Sequence, residues 1–501
     1  MKSTHDLQLK SPVTGILFPA RLDGRRSSAD AGLRVMAAVL RAQNQGKWAQ
    51  QLDVEDHWRQ HYPMYWRQMV ASALASPRVA LDGATSGLQA LWLSLLWTNE
   101  RGQEISLRAA LELPEGKPFQ THTLRGTGAP SVQPWSVPYR GRQLQGQELL
   151  LQLIRWVESG VMEPSAAKAL GRCVRHPEWF DLSDRHIALL GAGSEMGALK
   201  WLMRWRANVY AVDLPRPEVH SRLQDACTMG NGTLHVPVRG SPGLDGAGAD
   251  LLQDAPRIAE WLLSLGKNLD LACMAYADGE RHLRLSAAMD MVTSAVVQAQ
   301  PQSSLAYLAT PTDVFAVPPE AADASEWVYA RRSWGGRLAG ALSRGLWFAP
   351  NSPQRFEESG RRLGLVDALV VQQGPNYALA KRLQQWRALL ARSMGHRVSF
   401  NVAPATRTRS VLSNRLLAAG FGGAGAFGLE VFEPETTRAL MAGLWVHDLR
   451  TDRAPADPAV GLGHPFELFM DQAIHGGLWR MAYAPRSVLP LAVASGWWKT
   501  R

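Results

Sequence analysis

LLGAGSEMGALKWL, residues 189–202, follows the apolar run RHIALL and opens into a stretch with helical spacing. Gly191, Gly193 and Gly197 fall at the turn between a predicted strand and a predicted helix. Glycine there lets backbone approach a pyrophosphate, and a helix N-terminus offers unpaired N–H groups and partial positive charge. Asp213 ends the next apolar run, NVYAVDL, 22 residues after Gly191. A dinucleotide site needs an acid there to accept hydrogen bonds from the adenosine ribose. The same glycines also serve close packing alone, and S-adenosylmethionine-dependent methyltransferases carry a comparable turn and acid. A carboxylate at Asp213 repels a 2′-phosphate and so leans toward NAD over NADP; Arg216, three residues on, can reverse the lean.

From Arg185 onward, short apolar runs alternate with helical stretches: RHIALL, NVYAVDL, TLHVPV, LDLACMAYA, SSLAYLAT and RVSFNVAPA are the strand candidates. This alternation predicts an α/β fold with a parallel, doubly wound sheet of the Rossmann type over residues 181–501. Residues 1–180 read as a mainly helical N-terminal domain of unassigned role. Its helix candidates are Gly32 to Gln43, LDVEDHWRQHYPMYWRQMVASALA and GQELLLQLIRWVESG, interrupted by a Gly/Pro-rich connection at residues 125–142. Residues 316–366 are too long for a plain connection and read as an insertion covering a site.

The 501 residues are 46% hydrophobic and 20% charged, which excludes a disordered chain and fits a globular one. The formal charge of +10 favours anionic partners such as phosphorylated cofactors, acyl carriers or lipid surfaces, or is simply an Arg-rich solvated face. No Lys/Arg block or nucleic-acid motif accompanies it, so no nucleic-acid partner is expected. Cys173, Cys227 and Cys273 lie far apart and make no CxxC pair. His57 and His61 have zinc-ligand spacing but lack the accompanying Glu and a third ligand, so no metal site is expected. No membrane span or secretory leader is read from the chain, and a cytoplasmic location is the expectation.

NYALAKRL, residues 376–383, places Tyr377 and Lys381 on one face of a predicted helix. With GAGSEMG, GADLLQDAPRIAEWL, LDLACMAYADG and RVSFNVAPATRTRSVL in the same order, residues 183–501 resemble a divergent member of the short-chain dehydrogenase/reductase family. The resemblance implies an NAD- or NADP-dependent oxidoreductase interconverting a carbonyl and an alcohol. Tyr377 is then the acid/base, Lys381 its cationic partner and a ligand of the nicotinamide ribose, and Thr312 or Thr310 orients the substrate, with Thr312 slightly favoured. Asp250 and Leu251 correspond to the adenine-side position, and Pro404 with Thr406 or Thr408 to the nicotinamide amide contact. A possible homo-oligomer paired through helices also follows from the resemblance.

The chain departs from the family at several points: Glu195 and Met196 occupy the middle of the glycine turn, AYADG stands where an asparagine-rich motif belongs, and Ala405 replaces a glycine. Two stretches rich in aromatics and arginine, WGGRLAGALSRGLWFAP and HGGLWRMAYAPRSVLPLAVASGWWKTR, read as packing or dimer contacts, or as lid and wall over a hydrophobic or carrier-linked small-molecule substrate. Two alternatives to the oxidoreductase stand beside it: a methyltransferase using S-adenosylmethionine, and a non-catalytic nucleotide-binding or scaffold protein.

Overall fold

The computed structural model describes residues 14–240, 246–344, 346–352, 354–358 and 361–499. Gly345 and the last two residues, which belong to the two aromatic stretches read above, lie outside them. At its centre is a seven-stranded sheet of β1 (Gln120–Arg125), β2 (His186–Leu190), β3 (Asn208–Val212), β4 (Thr233–Val238), β5 (Asp270–Cys273), β6 (Ser304–Ala309) and β7 (Arg397–Val402). The spatial order is β7-β6-β5-β2-β3-β4-β1. Six strands run parallel, and β1 pairs antiparallel with β4.

The parallel strands form where the sequence is apolar on both faces, because helices cover both. In β2, Ile187 and Leu189 enter one core while Ala188 and Leu190 enter the other. The chain winds outward from β2 through β3 and β4, then returns to β5 and winds the other way. The crevice between the ends of β2 and β5 is therefore the topological switch point, where such sheets bind ligands. There Gly191 adopts φ +90°, and a Cβ on it would come 2.4 Å from Ala275 Cα, so only glycine fits.

The N-terminal residues pack into the same two cores. They supply β1, and the helices Ser28–Ala42 and Pro77–Leu93 cover Gly374–Ser393, which itself packs on Gly279–Ala299. Trp92 Nε1 donates to Asp290 at 2.7 Å, and Arg387 binds the same carboxylate at 2.6 and 2.9 Å. A homo-oligomer formed through these two helices would have to displace residues 28–93. The helix Trp58–Ala73 buries Trp58, Tyr62, Tyr65 and Trp66, while His61 pairs with Glu55 at 3.0 Å.

Between β6 and the Tyr377 helix lies a small antiparallel sheet, Val314–Val317, Arg361–Asp367 and Gln354–Glu358, with helices Pro319–Ala330 and Trp334–Leu342. It packs on the C-terminal residues through Tyr329, Phe348 and Tyr483, so the two aromatic stretches of the sequence are neighbours. No described helix is long and apolar enough to cross a membrane.

Candidate active site

The glycine turn ends β2 as expected, but the helix after it does not open on the turn. It starts at Leu199 and runs six residues, to Arg204. The positive helix end expected beneath a pyrophosphate is correspondingly weak. Asp213, at the end of β3, accepts from the Gly193 N–H at 2.6 Å and from the Leu214 N–H at 2.8 Å. Ser194 Oγ is buried with no hydrogen-bond partner among the described residues. Glu195 accepts from the Arg409 N–H at 3.0 Å, with the Arg409 guanidinium at 3.8 Å. A carboxylate thus lies on the turn itself, tied to the loop that follows β7.

Arg216 is exposed, in extended backbone before the helix Pro217–Thr228. Asp250 caps the helix Leu251–Ser264 by accepting from the Leu252 N–H at 2.9 Å. It stays near Asp213, since the Ala249 N–H donates to the Asp213 carbonyl at 2.9 Å. Leu251 does not line the crevice with its side chain, which is buried in the core.

Tyr377 and Lys381 do share a helix face, in Gly374–Ser393 beyond the C-terminal end of β6. Thr310 lies close enough to the Tyr377 phenol to oppose its rise in pKa, and the Thr310 and Thr312 hydroxyls are 2.8 Å apart. Thr310 rather than the favoured Thr312 therefore stands next to Tyr377, because β6 ends at Ala309 and the first residue after it faces the helix. Burial pushes the Tyr377 phenol up to about 12, Thr310 opposes the rise, and Asp313 adds to it. Lys381 is lowered to about 8 by burial. Its ammonium donates to the Leu308 carbonyl at 3.1 Å and to Gln384 Oε1 at 3.4 Å.

Two unforeseen rings flank Tyr377. His282 stacks on it with centroids 5.4 Å apart, and Tyr276 meets it edge-on at 6.2 Å. His282 is driven down to about 3 by burial, with the charge of Lys381 adding to the shift, so it is a neutral imidazole. Tyr276 donates to Asp278 at 2.8 Å. AYADG marked this loop only as a departure; nothing in its spacing showed that Tyr276 would reach Tyr377.

The loop after β7 reaches the glycine turn, where Arg409 holds Glu195. Thr406 Oγ1 donates to the Pro404 carbonyl at 2.8 Å and lies 2.8 Å from Thr437 Oγ1, while Thr408 pairs with Ser410 at 3.0 Å. Asn401 is buried below, donating to Ser399 Oγ at 3.0 Å and Asp448 at 3.3 Å. Behind this loop an open cleft of about 570 Å³ is lined by Tyr139, Arg140, Arg407, Glu430 and Thr436 among others.

These residues fit a dinucleotide at its adenosine end, where Asp213 and the glycine turn meet. At the diphosphate they fit only with Glu195 turned away from Arg409, because two anions at one turn repel.

No protein-family model and no curated protein matches the chain. Among solved structures it is similar to the 3-oxoacyl-[acyl-carrier protein] reductase from Brucella melitensis ATCC 23457. The identity is 13%, the TM-score 0.34, and the match covers 60% of this chain and 93% of that one. A likeness of that size carries nothing about activity from one chain to the other.

Proposed function

We propose that the chain is a nicotinamide-dependent oxidoreductase that interconverts a carbonyl and an alcohol. The observation that carries this reading is that Tyr377 and Lys381 share a helix face after the end of β6, with the paired hydroxyls of Thr310 and Thr312 beside the phenol. Burial raises the phenol to about 12, so catalysis requires the bound cofactor and substrate to bring it down toward the working pH. In this reading Thr310 and Thr312, whose hydroxyls are 2.8 Å apart, orient the carbonyl oxygen. A bound nicotinamide would supply the hydride, with Asp213 holding the adenosine ribose and the turn backbone the diphosphate. The choice between NAD and NADP rests on Asp213 against the exposed Arg216. A hydrophobic or carrier-linked substrate is the class the apolar insertion suits.

A second reading, a nucleotide-binding protein without turnover, is favoured by the Glu195–Arg409 contact across the turn. Titration of the purified protein with NADH, NADPH and S-adenosylmethionine, on the parent and on Tyr377→Phe, separates the readings. One nicotinamide cofactor should bind both proteins alike, and its oxidation by a panel of apolar aldehydes and ketones should be lost in Tyr377→Phe. Binding without oxidation in the parent supports the second reading. Binding of S-adenosylmethionine in place of both nicotinamides would overturn the oxidoreductase.

A further inference from the structure

The helix Trp334–Leu342 is amphipathic in the inverted sense. Its small residues Gly336, Ala339 and Gly340 face inward, and a Cβ on Gly336 would sit 3.0 Å from the Tyr483 hydroxyl. Trp334, Leu338, Ala341 and Leu342, at positions i, i+4, i+7 and i+8, face outward, with Trp334 77% and Leu342 76% exposed. Large side chains outside and glycines inside are the reverse of what burial in this protein's own core selects. Trp347 folds back onto the same helix, its N–H donating to Ser343 Oγ at 3.0 Å, and Leu346 and Trp327 extend the exposed apolar surface.

The charged residues between Trp327 and Phe356 are all basic. Between Glu326 and Glu357 the sequence contains no acidic residue and five arginines, Arg331, Arg332, Arg337, Arg344 and Arg355. Among the described residues the first four are in no ion pair, while Arg355 binds Asp323 and Glu326. Arg331 lies over the Trp327 ring at 3.8 Å and Arg332 over Tyr329 at 3.8 Å. Tryptophan and leucine outward on a short helix, flanked by unpaired arginines, is the composition of a segment that lies in a lipid–water interface. Tryptophan takes the headgroup level and arginine meets anionic lipid.

We propose that the Trp334–Leu342 helix docks this protein onto an anionic lipid surface. The docking does not depend on whether the Tyr377 site turns over.

The test is co-sedimentation of the whole protein with vesicles of phosphatidylcholine containing phosphatidylglycerol, and with vesicles of phosphatidylcholine alone. Sedimentation velocity is run in parallel without lipid. Two multiple variants accompany the parent: Trp334→Ser with Leu338→Ser and Leu342→Ser, and Arg331→Gln with Arg332→Gln, Arg337→Gln and Arg344→Gln. All seven side chains are solvated or partly so, and unchanged thermal melting shows that the variants fold. The parent should bind the anionic vesicles, each variant should bind at least about tenfold more weakly, and raised salt should weaken the parent. Failure of the parent to bind anionic vesicles would overturn the proposal. So would undiminished binding by the serine variant, or a lipid-free dimer of the parent that the serine variant loses.

Discussion

Glu195 accepts a hydrogen bond from the backbone N–H of Arg409 at 3.0 Å, which fastens the glycine turn after β2 to the loop after β7. The two residues are 214 positions apart in the chain, and the contact puts a negative charge where a diphosphate would have to lie. Glu195→Ala removes both the fastening and the charge. NADH or NADPH should then bind about tenfold tighter, equivalent to about 1.4 kcal/mol. Calorimetric titration of parent and variant measures this, and equal or weaker binding in the variant removes Glu195 from the cofactor crevice.

Tyr377→Phe should lower kcat by about 10²–10⁴ while leaving cofactor affinity unchanged, since only the proton donor is lost. Thr310→Val should cost more activity than Thr312→Val, because Thr310 is the hydroxyl that lies beside the phenol. Steady-state kinetics on all three variants decides; a larger loss in Thr312→Val would restore the preference drawn from the sequence.

Lys381 has a folded pKa of about 8, below the ordinary 10.5. Between those values the unfolded chain binds more protons than the folded one, so this group makes stability rise with pH across that window. Below about 8 the cost of burying the ammonium is fully present. Lys381→Met should therefore stabilise the fold at pH 7, by on the order of 2 kcal/mol, and the gain should vanish above about pH 10.5. Denaturant melts at pH 7 and at the highest pH the protein tolerates measure both limbs. A destabilised Lys381→Met at pH 7 would contradict the burial penalty.

Asp313 is buried and accepts from Trp66 Nε1 at 3.1 Å, Arg382 at 3.0 Å and Gln385 Nε2 at 2.9 Å. Asp313→Leu leaves Arg382 as an uncompensated buried cation and should cost about 3–5 kcal/mol. Adding Arg382→Met to it should recover part of the loss. A double-mutant cycle by chemical denaturation reports the coupling, and simple additivity would show that the pair does not act as a unit.

Local patterns were enough to read part of this protein. Apolar runs of five or six residues between helical stretches are dictated by burial on two faces, so the parallel strands and their alternation with helices were legible. The same holds for Gly191, whose φ and contact with Ala275 exclude any side chain, and for Asp213 at a strand end. Tyr377 and Lys381 fall on one face because helical spacing fixes it.

Contacts between distant segments were decided only by tertiary structure. β1 leaves the N-terminal residues to complete the sheet, although Gln120–Arg125 alternates too weakly to announce a strand. Tyr276 and His282 meet Tyr377 because the loop after β5 and the helix Gly279–Ala299 converge on one strand end. The ammonium of Lys381 turns to the Leu308 carbonyl, which no spacing in NYALAKRL encodes. Periodicity along a chain fixes which face a side chain takes; which side chain, carbonyl or carboxylate waits on the other side is set by how whole elements pack.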